Sequence, residues 1–118
     1  MLLATAMQAH ERRRYPRYDV SRLPGVVDGY RLFETLKLGL GGALILLQAE
    51  LALEQRLQVS LELGDVVFRS AAYVVFVGPD LDAPGLFRVG LAFTDTAAED
   101  RDRLQRFIDR SLASGELR

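Results

Sequence analysis

The chain contains no cysteine, so it holds no disulfide framework, no thiol nucleophile and no zinc–cysteine site, which fits a reducing cytoplasm. Its one histidine, His10, has no cysteine or patterned serine beside it, so no base, nucleophile and orienting group converge as a triad requires. Asp80 and Asp82 share a Gly-Pro loop, but the later carboxylates of a calcium loop are missing, and the pair reads as turn chemistry. Long apolar runs are absent too. The stretch over 1–9 is too short to cross a bilayer, and its basic run, Arg12–Arg14, follows the apolar residues instead of preceding them as in a signal peptide. These absences point to a soluble, unprocessed cytoplasmic protein with no catalytic residue, no metal site and no membrane insertion.

Lysine is nearly absent: of 15 cationic side chains only Lys37 is not arginine. The total is balanced at −1, but residues 11–22 carry five arginines (12, 13, 14, 17 and 22) against Glu11 and Asp19. A near-neutral total argues against broad binding to duplex DNA, whereas a local arginine cluster suits a compact phosphate-bearing ligand or forms a solvated basic arm. With 118 residues, 49% of them apolar, the chain makes one domain and can bury about two-thirds of its unfolded surface.

Apolar periodicity orders the chain. Residues 1–14 lack a helix cap and read as a mobile arm, Pro16 breaks any helix, and Leu23-Pro24-Gly25 reads as a turn. From Tyr30 to Leu40 apolar residues alternate with Arg31, Phe33, Thr35, Lys37 and Gly39, which predicts a strand with Arg31, Thr35, Lys37 and Gly39 on one polar face and an irregularity at Glu34. Gly41-Gly42 marks a turn or bulge before an apolar strand, Ala43–Leu47. Leu57–Leu63 alternates as a further strand, Val66–Val77 reads as one bent strand or two short ones, and Phe87–Thr94 is the last, with Gly90 permitting a close approach. Thr96 and Glu99 have the spacing of a capping box, after which Leu104, Phe107, Ile108 and Leu112 recur at helical intervals up to Gly115. Short strands closed by one amphipathic helix imply a small antiparallel barrel or sandwich.

Three pieces then combine: Glu-Arg-Arg-Arg-Tyr-Pro-Arg at 11–17, Lys-Leu-Gly-Leu-Gly-Gly-Ala-Leu-Ile at 37–45, and Arg-Val-Gly-Leu-Ala-Phe at 88–93 ahead of a C-terminal helix. In order and spacing they resemble the PilZ domain over roughly Glu11 to Arg110. The resemblance implies a six-stranded antiparallel β-barrel with a C-terminal helix, which recognises cyclic di-GMP and relays the signal to a protein partner. It further implies an N-terminal arm over 1–10, the PilZ-like domain over 11–112 and a C-terminal tail over 113–118.

The family's RxxxR motif maps onto Arg13 and Arg17. A guanidinium is a planar fork that bonds phosphate oxygens or the guanine O6/N7 edge in pairs and stacks on the base, and an arm that carries two of them closes over the ligand. The second motif, [D/N]xSxxG, falls on Lys37 to Gly42, where only Gly42 matches. Guanine presents N–H donors that need an acceptor; the Lys37 ammonium is itself a donor, and Gly39 removes a hydroxyl. Losing both contacts costs about 2–5 kcal/mol, a factor of roughly 30 to several thousand, part of which Lys37 recovers by meeting a phosphate.

Two readings of the resemblance therefore stand: a cyclic di-GMP receptor whose ligand meets Arg13, Arg17, Lys37, Gly39 and Gly42, and a degenerate adaptor that acts through protein contacts without nucleotide. A third, single-stranded nucleic-acid binding over interleaved Tyr15, Tyr18, Tyr30 and Phe33, is opposed by the net charge.

Overall fold

The computed structural model describes residues 15–117. Six antiparallel strands close into a barrel in the order β1-β2-β3-β6-β5-β4, followed by a helix. The strands are β1 (Tyr18–Val27), β2 (Arg31–Gly39), β3 (Gly42–Leu47), β4 (Arg56–Glu62), β5 (Val67–Pro79) and β6 (Phe87–Thr94), and the helix is α1 (Ala98–Ala113). Closure leaves one inner face for the apolar half of each alternation, and an open edge remains along the part of β1 ahead of Gly25. Val27, Leu38, Ile45, Phe68, Val74 and Leu91 fill the interior, and Leu104 and Ile108 of α1 join the same core.

β1 was not anticipated. It passes straight through Leu23-Pro24-Gly25, which the sequence marks as a turn. Pro24 is tolerated because β1 meets β4 only at Gly25–Val27, so at position 24 the strand is flanked by β2 alone. Gly25 is required for a different reason: a Cβ there would run into the Phe33 ring and the Ser60 carbonyl. The true turn is Asp28-Gly29, with φ of 52° and 80°, the left-handed pair that a tight hairpin demands. Asp28 is tied down by its carboxylate, which accepts the Gln58 N–H at 2.8 Å.

β2 corrects the predicted polar face. A bulge between Thr35 and Lys37 shifts the phase, so Phe33 and Thr35 point inward while Leu32 is left 78% exposed. Only the second half of the strand keeps the expected alternation, with Lys37 and Gly39 outward. β5 is one continuous strand with its own bulge between Val74 and Phe76, which turns both Val75 and Phe76 out to solvent. Phe76 lies against Gly90, whose missing side chain permits the approach.

The capping box expected at Thr96 does not form. Its hydroxyl is engaged by Ser70 at 2.7 Å, and the N-cap is Ala97 with no side-chain cap. The helix is docked instead by Asp100, whose carboxylate accepts the Arg69 N–H of β5 at 2.9 Å, while Glu99 and Asp100 complement the positive end of its dipole. At the other end Gly115, at φ 79°, ends the helix, and Leu117 turns back into the core. Among the described residues no helix is long and apolar enough to cross a membrane, and no cluster of three metal-ligating side chains occurs.

Candidate functional site

The candidate site lies on the barrel wall. Leu38, Ala43, Leu91 and Val74 pair successively across β2, β3, β6 and β5, and all four are buried. Because neighbours along a strand alternate faces, the rows on either side of this buried row point outward. One outer row runs Gly39, Gly42, Ala92 and Tyr73; the other runs Asp19, Lys37, Leu44, Gly90 and Phe76. The middle of the wall is thus glycine and alanine apart from Leu44, which is half-buried. It is a bed nearly free of side chains, rimmed by charge on the β1 side and by two aromatics on the β5 side.

Arg17 crosses onto this bed from the segment before β1. Its guanidinium donates a long hydrogen bond, Nη2 to the Leu91 carbonyl at 3.5 Å. A Cβ on Gly42 would run into the Leu91 carbonyl and stand 3.2 Å from the same Nη2, so the glycine is required first by the β6 backbone and also leaves room for the fork. Gly39 does the same for the backbone: a Cβ there would collide with the Pro16 carbonyl. Of the residues singled out from the sequence, Arg17, Gly39 and Gly42 are thus brought into one place. Arg13, like His10 and the arm expected over 1–10, lies outside the described residues.

Lys37 sits one row away, opposite Asp19 in the β1–β2 register, and its ammonium is 3.8 Å from that carboxylate. Both side chains are more than half exposed, so the pair contributes little to stability. Its interest is positional, because Asp19 carries an acceptor beside the one position where the second motif lacks it. Sequence reasoning passed over Asp19, although its spacing of two from Arg17 was a usable signal for a shared strand face.

Two further features could not be anticipated from spacing. Tyr15 lies on the β2–β3 turn, where a Cβ on Gly41 would come 3.1 Å from its ring, and Arg101 of α1 donates to its hydroxyl at 2.6 Å. The aromatic face considered for single-stranded nucleic acid does not assemble. Phe33 is inside the barrel, Tyr15 is held by Arg101, and Tyr30 is 69% exposed at the far hairpin.

Fold and wall together define a small closed β-barrel module with an arginine-edged bed on its outer surface. The sequence model of the PilZ domain matches residues 11–110, and the chain belongs to that family. Among solved structures it resembles the PilZ domain of YcgR from Escherichia coli with c-di-GMP, at a TM-score of 0.73 and 20% identity, covering 88% of this chain and 94% of that one. It also resembles YcgR from Escherichia coli in complex with c-di-GMP (TM-score 0.72, 24% identity, 88% of this chain and 47% of that one). A third likeness is to the Bacillus subtilis inhibitor of motility, MotI/DgrA (TM-score 0.70, 22% identity, 86% and 52%). These likenesses are of fold, and the chain spans about half the length of the last two. No curated protein matches the sequence.

Proposed function

We propose that this protein is a non-enzymatic receptor for cyclic di-GMP that passes the signal to a protein partner. The observation that carries the reading is the convergence of Arg17 with Gly39 and Gly42 on one side-chain-free patch of wall, since this unites the two motif segments from opposite sides of β2. A flat guanine needs such a bed, and a phosphate needs the fork at its edge. Arg13 completes the grip in this reading, and Lys37 is within its row to meet a phosphate. The known company of the fold agrees: YcgR is seen with c-di-GMP, and MotI is an inhibitor of motility.

The degenerate-adaptor reading draws on Lys37 and on Gly39, whose place is covered by Pro16. Asp19 weighs against it. A carboxylate directly across the strand from Lys37 supplies the acceptor for the guanine N–H donors that Lys37 cannot, and in our reading it takes over that part.

Isothermal titration of cyclic di-GMP into wild type and Arg17→Ala tests the proposal. Saturable binding by the wild type, weakened about tenfold to a hundredfold in the variant, is expected from the loss of charge-assisted hydrogen bonds. Absence of binding by the wild type at tens of micromolar would favour the adaptor.

A further inference from the structure

The three residues that lead into β1 each rest on a glycine of one hairpin. Tyr15 lies on Gly41, the Pro16 carbonyl on Gly39 and the Arg17 guanidinium on Gly42. These three seats are backbone positions without side chains, and Arg17 adds the hydrogen bond from Nη2 to the Leu91 carbonyl at 3.5 Å. A further tie comes from the helix. Arg101, in the first turn of α1, donates from Nη2 to the Tyr15 hydroxyl at 2.6 Å, and its guanidinium carbon stands 5.1 Å from the centre of the Tyr15 ring. One arginine thus bonds the polar tip of this side chain and brings its charge near the ring.

Arg101 is itself firmly based. The residue before it, Asp100, holds the Arg69 N–H of β5, and Leu104, one turn on, is buried in the barrel core. The chain from helix to ligand fork is therefore short: α1, Arg101, Tyr15, and then Arg17 two residues along an extended segment that Pro16 stiffens.

We infer that Arg101 is a positioning residue for nucleotide binding: through Tyr15 it holds the arm so that Arg17 is aimed at the bed before ligand arrives, and it couples occupancy of the bed to α1. This inference rests on the cyclic di-GMP reading. An arm already in place spares the ligand the entropy of ordering it, and by linkage a ligand that grips the arm also steadies the residue that holds it. The coupling reaches a helix on a different part of the surface, where a partner can read it.

The test has two arms on the intact chain. In the first, cyclic di-GMP is titrated into wild type, Arg101→Ala, Arg101→Lys and Tyr15→Phe. Arg101→Ala is expected to weaken binding about tenfold, the share of a charge-assisted hydrogen bond, and Tyr15→Phe, which keeps the ring under the guanidinium, by less. Arg101→Lys, which keeps the cation but not the fork, falls between. In the second, amide hydrogen exchange is followed without and with nucleotide. In the free protein the Tyr15 and Arg17 amides exchange faster in Arg101→Ala than in wild type at equal melting temperature, and nucleotide slows exchange at the start of α1 in wild type only.

Unchanged affinity in Arg101→Ala together with unchanged exchange at Tyr15 and Arg17 would overturn the inference and leave the receptor reading standing. Wild type that binds no cyclic di-GMP would overturn both as stated, while faster exchange of the arm in Arg101→Ala would still show the latch itself.

Discussion

At the scale of single residues the most informative position is Asp19. If it reads guanine, Asp19→Asn should weaken cyclic di-GMP binding about tenfold while leaving the weaker affinity for cyclic di-AMP nearly unchanged, because adenine lacks the N1–H donor that a carboxylate accepts. Competitive titration with the two dinucleotides measures this; equal losses for both would assign Asp19 to charge balance alone. Thr35 is a separate case. It is fully buried inside the barrel, and its hydroxyl has no hydrogen-bond partner among the described residues. Leaving a buried hydroxyl unpaired costs about 1–3 kcal/mol, so Thr35→Val, nearly the same shape and equally suited to a strand, should stabilise the fold by about 1 kcal/mol in urea unfolding. Asp80 is buried at the mouth of the β5–β6 connection, where Arg88 donates to it at 2.7 Å. That hydrogen bond holds its pKa below the ordinary 3.8, aided by the Arg88 charge and the Ala83 and Asp82 backbone and opposed by burial. A depressed carboxylate stabilises the fold fully above its unfolded pKa and ceases to do so as pH falls through its folded one. Thermal melts of wild type and Asp80→Asn should therefore differ by a constant amount above about pH 5 and converge as the acid side of 3.8 is reached.

At the scale of elements, glycine does much of the shaping. Gly25→Ala is expected to destabilise by about 1–3 kcal/mol, because the Phe33 ring can turn aside but the Ser60 carbonyl belongs to β4 and cannot. Chemical denaturation would check it, and a loss near zero would mean that β1 is not held where it lies. The same strand shows what could be read from the sequence and what could not. β3, β4, β6 and α1 were legible because their apolar periods run unbroken to within a residue or two of their ends. β1 was not, because Leu-Pro-Gly outweighed the weaker alternation around it, although Asp28-Gly29 was on the page as the stronger hairpin signal. β2 was found but its first half was faced the wrong way, since a bulge near Leu36 changes phase without changing composition. Motif spacing singled out Arg17, Gly39 and Gly42, and the fold brings these three side by side; the Arg101–Tyr15 contact could not be read that way, because it joins residues that only barrel closure brings together.

At the scale of the whole molecule, closing the barrel does two things at once. It pairs the strands around the whole ring, and it lets glycines on adjacent strands line up on the outer wall, where Pro16 and Arg17 lie over Gly39 and Gly42, without weakening a core. The helix fills the interior through Leu104 and Ile108 and reaches Tyr15, ahead of β1, through Arg101. The claim on which the account depends is that cyclic di-GMP lies on this bed. An amide NMR titration of the isotopically labelled chain with cyclic di-GMP tests it most directly. The account predicts saturable shifts concentrated at Arg17, Asp19, Gly39, Gly42 and Gly90, with the Asp28-Gly29 hairpin unmoved. A spectrum that does not change, or one that saturates with its shifts on another face of the barrel, would contradict it.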